Sequence, residues 1–439
     1  MNNSSTVAMI SLGCPKNLVN SEEMLALLQD AGYAFTDDLA KADAVIINTC
    51  AFIESAKTEA IEKILETASY REENPELKII VSGCLAQRYA DDIRAELPEV
   101  DGIMGTGSYG EIVPALAELM AGGRPCRFAD IHGMIDEFDR VLTTPGHYAY
   151  LRIAEGCDNR CAYCVIPSLR GKFRSRTKES ILEEARLLAA SGVKELIIVA
   201  QDITRYGIDL YGKVCLTELL KELCKLDFRW VRLHYLYPEL IDDELIDEIA
   251  SEDKIVKYLD IPIQHINDTI LRRMNRRGTG EEIRALFKKL RERIPGLVLR
   301  TSLITGLPGE GEAEFEELCD FLREAKIERA GVFPYSPEEG TPAALMPDRC
   351  STEEAQRRAE LCMEIQAEIM DGFAETFIGR ELDVLVMGRE PDGTPWGRSE
   401  YDSPDIDSRV IFSGGAAPGD MVRVRIDSVD DGELIGEQI

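Results

Sequence analysis

No run of eighteen apolar residues occurs in the 439-residue chain, which argues against a membrane-spanning helix. The opening MNNSSTVAMI lacks the basic start and apolar stretch of a secretory signal, so the chain is expected in the cytoplasm, away from membranes. Positive charge is in deficit: 50 lysines and arginines stand against 80 acidic residues, a net charge of −30. Such a surface is repelled by phosphate backbones at long range and attracts basic proteins. Low-complexity segments are missing too. The 45% hydrophobic and 30% charged content is that of an ordinary globular protein of two or three domains.

Cysteine is not missing. Twelve are present, and a reducing compartment excludes disulfides as their main use, so some are expected to bind metal or act in redox chemistry. Cys126, Cys215, Cys224, Cys319, Cys350 and Cys362 sit in helical or unremarkable contexts and read as small buried apolar residues. The other six fall into two groups of three.

One group is spread over the first part of the chain, about 1–140. An apolar run ends in a cysteine three times: VAMISLGC at Cys14, ADAVIINTC at Cys50 and KIIVSGC at Cys84, spaced by 36 and 34 residues. Helix-like segments fill the gaps, which is the period of βαβ units in a doubly wound parallel sheet. The carboxyl ends of such strands lie along one edge, where ligands bind. Cys14, Cys50 and Cys84 are therefore expected to meet there.

The second part, about 141–375, also alternates. Strands are expected over 148–154, 195–200, 230–236, 257–263, 297–304 and 330–336, with amphipathic helices between them. Six βα units make an incomplete parallel barrel, since a full one needs eight. The third part, about 376–439, reads as a small antiparallel β barrel from ELDVLVMG, SRVIF, DMVRVRIDSV and ELIGEQI.

The second group of cysteines, in CDNRCAYC, follows the first barrel strand: Cys157, Cys161 and Cys164, with no fourth cysteine or histidine nearby. Zinc wants four closed ligands, and no complementary C-x-x-C pair or HxxxH occurs here. Three thiolates on a short loop suit a 4Fe–4S cluster with one iron left open.

C-x-x-x-C-x-x-C with Tyr163 before its last cysteine resembles the signature of radical S-adenosylmethionine enzymes. The resemblance implies that the open iron chelates the amino and carboxylate groups of the cofactor, and that Cys157, Cys161 and Cys164 hold the catalytic cluster generating a 5′-deoxyadenosyl radical. SLGCPKNLVNSE, INTCAFIESA and VSGCLAQR resemble the amino-terminal domain of methylthiotransferases, which implies a second 4Fe–4S cluster on Cys14, Cys50 and Cys84. IPSLRGKFRSR, LITGLPGE and FPYSPEEGTPAA also resemble blocks of that family, and the carboxy-terminal barrel is similar to its TRAM module. In LITGLPGE, Gly306, Gly309 and Glu310 follow the fifth strand, where the superfamily packs its cofactor, although glycine there is also turn chemistry. Gln201 and Asp202 follow the second strand, where related enzymes bind the cofactor's amino group, and Tyr163 stands where it would touch the cofactor. The basic run Arg170, Lys172, Arg174 and Arg176 could grip a carboxylate bidentately or form a solvated, salt-bridged face. His265 reads as a satisfied histidine near a strand end.

The family divides by substrate. SLGCPKN, RLHYLYPE and DIPIQH resemble the group that acts on an aspartate of small-subunit ribosomal protein twelve, whereas the transfer-RNA group typically carries a Gly-Cys-Gln variant. Asn20 departs from the aspartate usual at its position. Residues 376–439 hold six arginines, no lysine and fourteen acidic residues, a net charge of −8. A module that gripped RNA should present a basic face, so a basic ribosomal protein is the expected substrate, and nucleic acid is not. An external electron donor and sulfur source would be needed. The alternatives are the same chemistry on a transfer-RNA adenosine, or a non-catalytic, zinc-stabilised ribosome-binding module.

Overall fold

A computed structural model describes residues 5–135 and 137–439. Nineteen strands, numbered in chain order, build three main sheets. The first contains β1 (Thr6–Ser11), β2 (Ala34–Phe35), β3 (Ala44–Thr49), β4 (Lys78–Gly83), β5 (Gly102–Met104) and β6 (Cys126–Arg127). They are all parallel in the order β2-β1-β3-β4-β5-β6. The strands read as continuous apolar runs because both faces are covered. Val45, Ile47, Ile79 and Val81 pack against the helix Glu54–Ser69 on one face. Ile46 and Ile80 meet Met24 and Leu28 of the helix Pro15–Asp30 on the other. The chain winds outward in both directions from β1 and β3, so the switch point of the sheet lies between them.

The second sheet contains β7 (Tyr148–Arg152), β10 (Glu195–Val199), β11 (Trp230–Leu233), β12 (Ile255–Asp260), β13 (Val298–Thr305) and β14 (Arg329–Pro334). It runs β14-β13-β12-β11-β10-β7, parallel throughout, and β7 and β14 do not pair. This is the incomplete six-unit barrel expected. Between β7 and β10 the short strands β8 (Ala154–Glu155) and β9 (Arg174–Ser175) form a two-stranded antiparallel ribbon.

The last five strands, β15 (Glu381–Arg389), β16 (Pro395–Ser399), β17 (Val410–Ser413), β18 (Met421–Asp430) and β19 (Glu433–Gln438), close into a barrel in the order β15-β16-β17-β19-β18. Four pairs are antiparallel, and β17–β19 is parallel. Parity requires this: a ring of five strands cannot reverse direction at every step. The sequence reading missed β16 because Pro395 and Gly397 interrupt its alternation.

This barrel plugs the inner face of the open one. Leu385, with Met387 and Met421 beside it, packs on Trp230, Val256, Tyr258 and Val298, the inward residues of β11 to β13. Arg398 reaches in to Glu195 at 2.6 Å, and Glu195 also holds Arg232 at 2.6 Å; all three are buried. The plug occupies the amino-terminal end of the inner face. The carboxyl ends of the strands face the carboxyl edge of the first sheet, and the terminal domain reaches them at β11, where Ser403 Oγ stands 3.0 Å from His234 Nε2. Glu338, in the loop after β14, is 2% exposed and clasps Arg88 at 2.6 Å and Lys57 at 3.2 Å, both on helices that flank that sheet.

Candidate active site between two cysteine trios

The loop carrying Cys157, Cys161 and Cys164 lies between β8 and the helix Ile166–Arg170, beyond the first barrel strand. Its backbone is fastened at both ends: Cys157 N donates to Gly171 O at 3.2 Å and Ala162 N to Met274 O at 2.9 Å. Cys164 N donates to Cys161 O at 3.0 Å, which closes a turn and brings the last two thiols together. Cys161 Sγ stands 2.8 Å from the Tyr237 hydroxyl and 3.9 Å from the Arg276 guanidinium, which itself lies 4.1 Å from the Tyr237 ring centroid. Burial pushes the Cys157 thiol up to about 11 and Cys164 up as well, and the charge of Cys161 adds to both. Thiols so reluctant to ionise alone suit ligation to a cationic metal core.

The other trio comes from topology. β1, β3 and β4 are adjacent in the sheet, and adjacent strands lie about 4.8 Å apart, so residues just past their ends sit within about 10 Å. Cys14 follows β1 by three residues, and Cys50 and Cys84 directly follow β3 and β4. Gly13 makes the approach possible. Its φ is +86°, and a Cβ there would meet the Cys50 Cβ at 2.6 Å. Asn17 laces the ends together, donating to Leu12 O at 3.0 Å and Thr49 O at 2.8 Å. Burial pushes the Cys50 thiol up to about 12, and the charges of Cys14 and Cys84 push the same way. Burial also raises Cys84, against the pull of Arg170, whereas at Cys14 the charges of Lys16 and Arg170 outweigh burial and lower the thiol.

Three groups join the trios. Arg170 ends the helix that follows the barrel cysteines, yet its 3%-exposed guanidinium acts on all three amino-terminal ones through its charge. It donates to Asn20 Oδ1 at 2.7 Å, to Asn17 Oδ1 and to Glu155 Oε2 at 3.2 Å. Glu155, two residues before Cys157, is buried, which opposes its ionisation; Arg170 and Arg152 nevertheless hold it down at about 2. The loop after β11 completes the link: Tyr237 touches Cys161, and Tyr235 covers Lys16, two residues beyond Cys14, at 3.6 Å from ring centroid to Nζ. Residues two apart span at most about 7 Å along the backbone, so one short segment reaches from Cys161 to the residue that neighbours the Cys14 turn.

The remaining sequence-predicted residues divide. Gln201 lies beside Glu155, its Nε2 donating to Glu155 Oε1 at 2.5 Å and its own Oε1 buried without a partner. Tyr163 packs beside Ala162, Ile270, Met274 and Leu307. Asp202 caps the short turn after β10 through Thr204 N at 3.1 Å. Gly306 and Glu310 follow the fifth barrel strand and are bound into contacts within the protein. A Cβ on Gly306 would meet the Ala355 Cβ at 2.4 Å, so glycine answers to helix packing. The Glu310 carboxylate accepts from Gly306 N and Arg358, each at 2.9 Å, and stands 3.4 Å from His265 Nε2. The basic run is not a solvated face: Arg170 and Arg176 are buried, Arg176 against Glu184 and Glu137, and only Lys172 is exposed. Sequence reasoning passed over Lys16 and Asn17 and noted Asn20 only as a departure, although all three lie in the block SLGCPKNLVNSE. Their roles depend on Arg170 and Tyr235, which are remote in the chain.

The donor set fits a polynuclear core. Among the described residues no three His, Cys, Asp or Glu side chains gather closely enough for a single ion. The thiolates instead lie in electrostatic reach of one another across a wider span, with the buried Arg170 to balance their charge.

Comparison with known proteins agrees part by part. Uncharacterized protein family UPF0004 matches residues 6–105, the Radical SAM superfamily 151–322 and a TRAM domain 378–439. The fold resembles the radical S-adenosylmethionine methyltransferase TsrM from Kitasatospora setae, with a TM-score of 0.56 at 15% identity over 75% of this chain and 73% of that one. The open barrel with its thiolate loop thus defines a radical S-adenosylmethionine enzyme. The chain is 50% identical to the ribosomal protein uS12 methylthiotransferase RimO of Pelotomaculum thermopropionicum over 439 residues, 99% of each. It is 48% identical to that of Lachnoclostridium phytofermentans over 97% of this chain and 98% of the relative. The chain belongs to the RimO family of methylthiotransferases.

Proposed function

We propose that this protein adds a methylthio group to the β-carbon of an aspartate in ribosomal protein uS12. Cys157, Cys161 and Cys164 would hold the 4Fe–4S cluster that meets S-adenosylmethionine, and Cys14, Cys50 and Cys84 a second cluster. When bound, these groups supply a 5′-deoxyadenosyl radical for hydrogen abstraction and a methylated sulfur for transfer. The observation that carries the reading is the link between the trios: Tyr237 touches Cys161, and Tyr235, two residues before it, covers Lys16, two residues beyond Cys14. A radical and a sulfur donor can then reach one carbon without the substrate moving.

The chain's own residues order the site between the trios. Tyr237 and Arg276 fix Cys161 from the barrel side. Arg170 balances the thiolate charge on the other side and is held by Asn17, Asn20 and Glu155. The free Gln201 Oε1 would accept a hydrogen bond from the cofactor's ammonium, and Tyr163 would line the pocket.

The terminal barrel supports a protein substrate over RNA. Arg398, Arg409, Arg423 and Arg425 are all in ion pairs, and Arg389 binds the carbonyls of Gly393 and Ala416. Little positive charge is left to hold phosphates. No helix among the described residues is long and apolar enough to cross a membrane, and a ribosomal substrate would place the enzyme in the cytoplasm. The decisive experiment gives reconstituted, reduced enzyme and S-adenosylmethionine either uS12 or transfer RNA. Mass spectrometry should show the methylthio gain on the uS12 aspartate. A gain on RNA alone would overturn the reading.

A further inference from the structure

Lys16 is a buried cation beside the Cys14 thiol, whose ionisation it favours, and it has no carboxylate in an ion pair with it. It is 7% exposed, and burying an ammonium is costly unless a counter-charge is near. Among the described residues no carboxylate forms an ion pair with it. Those nearby are taken: Glu22 by Arg140, Glu23 by Arg152, and Glu155 by Arg152 and Arg170. Its Nζ instead lies against the Tyr235 ring, 3.6 Å from the centroid. Tyr235 adopts a left-handed φ of +64°, a conformation unfavourable for a non-glycine residue that persists where the surroundings demand it. The chain has therefore accepted two unfavourable features to place one ammonium at the link between the two cysteine trios.

The reading proposed above fixes what must enter between the trios. The reacting carbon of an aspartate bears a carboxylate directly, so wherever radical and sulfur reach the β-carbon, a full negative charge lies one bond away. An adenine base brings no such charge. We propose that Lys16 binds the side-chain carboxylate of the substrate, resting on the aspartate assignment, and so makes the site selective for an acidic side chain over a neutral one. Tyr235 holds the ammonium until substrate arrives, a cation–π contact being weaker than a desolvated ion pair. Lys16 sits inside SLGCPKN, the block whose resemblance points to a protein substrate.

The test uses reconstituted wild type, K16M and K16R with a labelled uS12 peptide carrying the target aspartate, and the same peptide with asparagine there. Fluorescence anisotropy reads binding, product formation reads KM, and iron content and cluster midpoint potentials report on the metal sites. Wild type is expected to bind the aspartate peptide more tightly than the asparagine one, and K16M to weaken it on the order of 30-fold or more, as for removing one partner of a buried charge pair. K16M should bind both peptides alike, with iron content unchanged. A K16M that keeps the aspartate preference, or that shifts a cluster potential while binding is unaltered, overturns the assignment and makes Lys16 a counter-charge to Cys14. Should K16M lose its iron, K16R decides: a retained charge must preserve at least tenfold discrimination, and its loss counts against the role. Wild type that modifies RNA and ignores both peptides overturns the aspartate reading itself, a distinct outcome.

Discussion

The two cysteine trios are built by opposite means. Cys157, Cys161 and Cys164 come from eight consecutive residues fastened by their own loop, to Gly171, Met274 and Tyr237. Cys14, Cys50 and Cys84 come from three strand ends and exist as a group only while β1, β3 and β4 keep their register. The first arrangement tolerates disturbance elsewhere in the fold. The second is hostage to the sheet, and it borrows its balancing charge, Arg170, from the helix that follows the first. Each trio should therefore fail in its own way.

The largest separation is expected from the ligands themselves. C157A should reduce deoxyadenosine formation to background, and C50A should spare it while abolishing methylthio transfer. Iron should fall from about eight to about four atoms per chain in both cases if each site holds a cubane. Chromatography of deoxyadenosine and mass spectrometry of uS12 read the two activities. Loss of deoxyadenosine in C50A to the level of C157A would mean that the trios are one unit.

Next in size is a change that touches no ligand. G13A puts a Cβ 2.6 Å from the Cys50 Cβ at a backbone φ of +86°. Strain and overpacking together come to about 2–4 kcal/mol. Because the cost falls on the contact between two strand ends, G13A should lose the iron of the distributed site and retain that of the loop, as seen by iron analysis and electron paramagnetic resonance. Equal loss from both sites would break the comparison.

The contrast also explains what the sequence could disclose. The loop trio was legible from spacing alone, and the distributed trio from three apolar runs ending alike, because both signals are periodic and local. All six barrel strands were foreseen for the same reason. β2, β5 and β6, two or three residues each, and β16 with its Pro395 and Gly397, carried no usable alternation. At Gly306 and Glu310 the sequence carried no sign of the contacts with Ala355, Arg358 and His265, because a turn glycine and a nearby acid look the same whatever packs against them. Arg170 was visible as a charge, but its direction was not, since a basic run does not say which residue turns inward. That answer required Asn17 and Asn20, some 150 positions away in the chain.

Arg170 supplies a third, smaller test. It faces all three amino-terminal thiols, so R170Q should lower the midpoint potential of the second cluster. A buried unit charge at close range contributes about 2–4 kcal/mol, on the order of 100 mV for one electron. Redox titration monitored by paramagnetic resonance should find this shift at the distributed site and a much smaller one at the loop. A larger shift at the loop would show that Arg170 belongs to the wrong trio.

The smallest effect expected, and the one that probes how the trios are joined, comes from Glu155. Its carboxylate lies between Arg170 and Arg152, each at 3.2 Å, so E155Q removes a negative charge where R170Q removes a positive one. The single variant should raise the potential of the second cluster by less than R170Q lowers it, because Glu155 acts from behind Arg170. The double variant should fall short of the sum, since residues in one ion-pair network are not additive. The sign with pH follows from the position of the carboxyl. It is held at about 2 against an ordinary 4.5, so its ion-pair contribution is complete above the ordinary value and is lost only as pH falls from there through 2. Between about pH 6 and 8 the group stays ionised, and the difference between wild type and E155Q should be constant. A difference that titrates in that range would place another proton on the path between the trios, and strict additivity would show that Arg170 and Glu155 act on the two sites separately.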